Sequence, residues 1–291
     1  MTSAAGGAMR ETVAMWTTGL RLLENTAAAD WLVPRMTGEL GTVAGTIPDR
    51  YPAYARVCHP AGDVDGGLVS WAEVAAATGR RAHPLMQWHA IVGTSDYNNM
   101  LGSLWPGAHP RRGHLVPEVM LPLCELLAAH TTTPGDCYFC LWEGWGWIHG
   151  AGQYVSLSVA NDGGVESAVR PLKPAFSDAE LNGPRVQLPA RDYLLFAGSL
   201  SAIIQTLRMG VSTQRGTIGD QLLEQSPNLF WPADQAWCVA TEVDFDSTLV
   251  AGSTALNDQL LATPGLEAWP VEPRDGLHCE ADLINAVPSI D

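Results

Sequence analysis

A stretch of strict two-residue alternation near the C-terminus constrains this chain most. Over 237–245 the odd positions are Trp237, Val239, Thr241, Val243 and Phe245, while Cys238, Ala240, Glu242 and Asp244 lie between them. Side chains of a strand point alternately to its two faces. The pattern therefore predicts a half-buried strand, with one face on a core and the other ending in the carboxylates of Glu242, Asp244 and Asp246. Gly252 and Ser253 supply a turn and an N-cap for a helix over 254–262, which Thr263-Pro264-Gly265 stops. Residues 266–271 read as another short extended piece, so 226–271 is predicted to form a strand–loop–helix–strand unit.

The rest of the chain divides by pattern. Residues 1–10 read as a loose tail. A helix is predicted over 11–24, with Val13, Trp16, Leu20 and Leu23 at helical spacing, and a second short one around Trp31 and Leu32. Residues 51–59 look extended. Ser70 and Glu73 form a capping box for a helix over 71–78. Another helix follows over 117–129, with Pro122 inside it. From Cys137 the pattern turns to strands, CYFCLWEGWGWI and QYVSLSVA, with a turn at 161–164. A strand over 192–196 leads into a helix over 200–207, and a last short helix is expected over 281–286. The fold class this predicts is α+β, with a helix-rich N-terminal half and a mixed or antiparallel sheet packed with helices in the C-terminal half. Residues 11–291 read as one domain; the alternative is a division near 134 into helix-rich 11–134 and strand-rich 135–291.

Composition excludes several function classes. With 46% hydrophobic and 16% charged residues, the chain has the balance of a folded protein with a large core. The 31 acidic and 16 basic residues give a net charge of −15, which repels nucleic acid and anionic membrane surfaces and suits a basic protein partner. The six cysteines are scattered in apolar runs, and no signal peptide is apparent, so reduced thiols and a cytoplasmic location are expected. No apolar run approaches the roughly 20 residues of a membrane span. Nothing in the pattern sets an oligomeric state.

Three constellations carry potential chemistry. Oxygen ligands as dense as Glu242, Asp244 and Asp246 suit Mg²⁺ or Ca²⁺, with Asp244 and Asp246 as the metal candidates; the three are also candidates for contact with a polar partner or ligand, and the plainer reading is a solvated strand face. Cys137 and Cys140 form a CxxC, but residues three apart on a strand face opposite ways, which is wrong for chelation. The third is Trp142-Glu143-Gly144-Trp145-Gly146-Trp147, followed by Ile148 and His149. Glycines between aromatics let a ligand approach the rings, making Trp142, Trp145, Trp147 and His149 candidates for a recognition surface; the competing reading is that the indoles complete the core. No nucleophile elbow, P-loop, dinucleotide fingerprint or HExxH helix occurs, so no catalytic residue and no cofactor is assigned.

The segments YPAYARVCHP and WAEVAAATGRRAHP, with LPARDYLLFAGSL and PNLFWPADQAWCVATEVDFDSTLVAGS, resemble a set of uncharacterised proteins common in actinobacteria. The overall pattern is also similar to SUKH-type immunity proteins, α+β modules that bind toxins. The first resemblance implies no activity; the second implies protein binding. The residues favour a non-enzymatic recognition protein, and the second resemblance implies that it is immunity-like. The alternative is a metal-assisted enzyme using the carboxylates at the end of the 237–245 strand.

Overall fold

The computed structural model describes residue 16 and residues 19–151, 153–159, 165–171, 174–213, 225–285 and 287. The tail, half of the helix expected over 11–24 and the turn at 161–164 lie outside them. The strands are β1 (Leu20–Leu22), β2 (Ala53–Cys58), β3 (Ala61–Gly62), β4 (Leu68–Val69), β5 (Cys137–Trp142), β6 (Gln153–Val159), β7 (Val165–Pro171), β8 (Val186–Gln187), β9 (Asp192–Gly198), β10 (Leu229–Pro232), β11 (Cys238–Ala240), β12 (Ser247–Gly252) and β13 (Ala268–Val271). Nine of them form one antiparallel sheet in the order β1-β9-β5-β10-β11-β12-β2-β13, with β8 sharing the outer edge of β9 with β1. β3–β4 and β6–β7 are separate hairpins. The fold is α+β.

The sheet is buried on both faces, and β5 shows why. Its residues alternate, with Cys137, Phe139 and Leu141 in one hydrophobic cluster and Tyr138, Cys140 and Trp142 packed in or against the other. Three helices, Pro117–Ala128, Leu200–Thr213 and Thr254–Ala262, cover the first face through Leu123, Leu127, Ile203, Leu207, Leu256 and Leu260. On the second face, short helical turns and loops bring Ala29, Leu32, Val43, Ile47 and Leu277 against Cys140, Trp231, Cys238 and Leu249. A third cluster joins the Trp71–Ala77 and Trp88–Ile91 helices beyond the end of β2, around Cys58, Trp71, Met86 and Trp88. Among the described residues no helix is long and apolar enough to cross a membrane.

Several expectations are corrected. Residues 20–22 form β1 and not the end of a helix, because pairing with β9 at Leu20↔Gly198 and Leu22↔Phe196 overrides the local helical spacing. Around Trp31 lie two 3₁₀ turns, Ala27–Ala29 and Val33–Arg35. The strand expected over 237–245 is only Cys238–Ala240, and both its faces are buried. The expected loop before Gly252 contains the fully buried strand β12, so the C-terminal unit is a β11–β12 hairpin followed by helix and strand. No helix forms over 281–285; Asp282 and Asn285 instead tie the chain to Arg81, His83 and Gln87. The capping signals hold. Ser70 and Glu73 form the reciprocal capping box, and the Ser253 side chain accepts from the Leu256 amide.

Candidate functional site

Sheet register brings two of the sequence candidates together. Trp142 ends β5 opposite Tyr193 of β9, so Arg191, two residues before Tyr193, is its diagonal neighbour on the same face. From Cys140 the pairing runs through Leu229 to Ala240, and two residues beyond Ala240 comes Glu242. The register thus brings Arg191, just before β9, and Glu242, just after β11, to the end of the sheet where Trp142 lies. Arg191 closes the tight β8–β9 turn, exchanging backbone hydrogen bonds with Leu188 at 3.0 and 3.3 Å.

Arg191 is the hub. Its Nε and Nη2 donate to Glu242 Oε1 at 3.1 and 2.7 Å, and Nη2 also donates to Asp244 Oδ2 at 2.5 Å. Its guanidinium carbon sits 4.9 Å from the centre of the Trp142 ring, and Trp145 meets Trp142 edge-on at 5.3 Å. Burial works against the Arg191 charge, but the hydrogen bonds and charges of Glu242 and Asp244 outweigh it and raise its pKa. An arginine held by an indole face and two carboxylates is fixed in place. The three charges sum to −1, and the Asp244 side chain is 75% exposed.

Asn228, fully buried, ties the tryptophan segment to the carboxylate loop. Its Oδ1 accepts from the Trp142 amide at 2.9 Å and from Trp145 Nε1 at 3.2 Å, while its Nδ2 donates to Thr241 O at 3.1 Å. Gly144 is required here, because a β-carbon would occupy the space filled by the Trp142 ring. Beside this cluster opens a cleft of about 220 Å³. Tyr193, Leu229 and Ala240 line it from the sheet; Arg191, Glu242 and Asp244 contribute its charges. Leu40, 69% exposed, also lines it.

The remaining candidates go elsewhere. The carboxylates do not share a wet strand face, because β11 ends at Ala240 and they lie on the 241–246 loop. Asp246 turns inward, 3.7 Å from Arg56 Nη2, and burial raises its pKa despite the Arg56 charge. It is therefore not joined with Asp244 as a metal pair, and among the described residues no three His, Cys, Asp or Glu side chains converge to hold a metal ion. Arg56, itself 1% exposed, also donates to Ser247 Oγ at 2.9 Å and to the carbonyls of Pro84 and Met86 at 3.1 and 2.7 Å. Trp147 leaves the site to pack against Phe176 and the helix-covered core. His149 is exposed, with Nε2 2.9 Å from the Glu143 carbonyl. Cys137 and Cys140 lie on opposite faces, as the strand spacing requires.

Next to Asp246, His59 is fully buried. Its Nδ1 lies 2.6 Å from the Arg111 carbonyl, which only a ring N–H can satisfy, so Nε2 accepts from the Thr248 hydroxyl at 2.9 Å. The Thr241 hydroxyl completes the chain by donating to Thr248 Oγ1 at 2.8 Å. Burial holds the imidazole neutral and lowers its pKa to about 4.

The residues missed in the sequence are Arg191 and Asn228. Their local signals are slight: an arginine closing a short proline-containing turn and an asparagine before an apolar run. No protein-family model, curated protein or solved structure matches the chain.

Proposed function

We propose that this protein is a recognition module, immunity-like in kind, that binds a basic protein partner at the cleft between the β8–β9 turn and the 241–246 loop. One observation carries the reading: a preformed, largely apolar cleft is bordered by a fixed Arg191–Glu242–Asp244 cluster of net charge −1, on a chain of net charge −15. Small concave sites with apolar walls and a few placed polar groups suit ligand capture. An acidic surface accelerates encounter with a basic partner and makes it sensitive to salt. Stacking on the Trp142 indole and the hydrogen bonds to Glu242 and Asp244 hold Arg191 in advance, which lowers the ordering cost of binding.

The experiment is affinity capture from the host at low and high salt, comparing wild type with Asp244→Arg. The proposal expects a stoichiometric basic protein that wild type retains at low salt, high salt releases and the charge-reversed variant fails to hold. Capture of the same proteins by both forms, or of none at either salt, would count against it.

A further inference from the structure

Resting on the cleft as the binding site, we infer that the group it takes from the partner is a lysine side chain, an alkyl stem ending in a primary ammonium, rather than an arginine. The hydrogen bonds of Arg191 decide the head group. Arg191 occupies Oε1 of Glu242 and Oδ2 of Asp244. Each carboxylate thus has one oxygen engaged, and the second, Glu242 Oε2 and Asp244 Oδ1, carries no hydrogen bond among the described residues. A guanidinium fork is matched best by both oxygens of one unengaged carboxylate, and Arg191 already engages one oxygen of each residue. An ammonium is a compact charge with three donors that rotate to suit, so single oxygens from two different carboxylates satisfy it.

The walls select the stem. Tyr193, Leu229 and Ala240 are at most 4% exposed, and with Phe245 and Leu188 they give the cleft an apolar lining beside the charged pair. A four-carbon chain buries its methylenes against such a surface while its charged head stays at the rim. Arg191 itself is no competitor for the carboxylates' second oxygens, because the Trp142 ring and the tight β8–β9 turn hold it in position. A cleft of about 220 Å³ has room for one such side chain and not for a folded element, so the rest of the partner's contact lies outside it.

The test titrates the intact protein with three blocked amino acids, the N-acetyl methylamides of lysine, arginine and norleucine, following the Arg191 Nε–H resonance by NMR. The inference expects the lysine probe to shift that resonance and saturate, with an affinity at least about fivefold above both other probes. Asp244→Asn and Glu242→Gln should each remove that preference, whereas Asp258→Asn, a remote exposed acid on the Thr254–Ala262 helix, should leave it unchanged. Equal binding of lysine and norleucine, a preference for arginine, or no shift with lysine overturns the inference. If the captured partner still depends on Asp244 while the lysine probe fails, the lysine assignment falls and the recognition reading stands. If neither the partner nor any probe depends on the cleft, both fall.

Discussion

Arg56→Met keeps the unbranched stem, out to the Nε position, of a side chain that is 1% exposed but removes its charge and every donor it has. In the wild type those donors serve Ser247 Oγ and the carbonyls of Pro84 and Met86, and the charge faces Asp246 at 3.7 Å and the Trp71 ring at 5.2 Å. Methionine fills the volume of the stem but not that of the guanidinium, so a cavity term adds to the polar loss. Removing one partner of a buried ion pair costs about 3–5 kcal/mol, because the other charge is left uncompensated. Two buried acceptors and a part-buried one, the Pro84 carbonyl, losing their donor push the value towards the upper end of that range. Asp246 supplies an internal control. Burial already raises its pKa, so without Arg56 it takes up a proton more readily, and the penalty shrinks as pH is lowered. Equilibrium urea unfolding followed by circular dichroism at neutral and mildly acidic pH measures this. Asp246→Asn in the Arg56→Met background should recover part of the loss, so that the double variant is less destabilised than the sum of the singles. A cost below about 1 kcal/mol for Arg56→Met, or strict additivity, would refute the view that Arg56 anchors the 241–246 loop through a buried charge.

Three further outcomes follow from the geometry. Gly144→Ala places a methyl group where the Trp142 ring lies, so it should displace the indole from Arg191; the Arg191 Nε–H resonance should broaden or move, and an unchanged resonance would contradict the stacking. Asn228→Ala removes a fully buried amide that serves Trp142, Trp145 and Thr241, and should cost about 2–3 kcal/mol in urea unfolding; a neutral effect would mean that the two loops hold their places without it. His59 is lowered from 6.5 to about 4 when folded, so between those values the unfolded chain binds a proton that the folded chain refuses. Its contribution is full above about pH 6.5 and is lost as pH falls towards 4, by up to about 3 kcal/mol. Buried His114, whose pKa is lowered well below its ordinary value, adds to the same slope. His59→Gln should flatten the pH dependence of the urea midpoint in that window, and an unchanged slope would show that His59 does not set it.

Local chemistry was legible wherever neighbours in sequence settle the structure. Ser70 with Glu73 and Ser253 before the Thr254–Ala262 helix cap as their residue types predict, and the opposed faces of Cys137 and Cys140 follow from strand period alone. What stayed hidden depends on distant partners. β1 looks helical because Leu20 and Leu23 continue the spacing of Val13 and Trp16, yet β9 recruits it into the sheet edge. The Glu242–Asp244–Asp246 row looks like one polar face. In the fold, Arg191 takes the first two and Arg56 the third, and both arginines lie far away in sequence. The three charges also obscured β12, whose apolar residues Leu249, Val250 and Ala251 form a fully buried strand immediately after them. The Trp142 segment was recognisable as unusual, but only the β5–β9 register shows that Trp142 joins the cleft cluster while Trp147 goes to the opposite core.

Site-specific photo-crosslinking is the most direct test of binding at the cleft. A benzophenone amino acid at Leu40, 69% exposed on the cleft lining, should capture a basic protein that excess salt or Asp244→Arg abolishes. The same probe at Leu261, 39% exposed on the Thr254–Ala262 helix, should capture none. Crosslinking at 261 with none at 40 would place the binding surface away from the cleft and contradict the account.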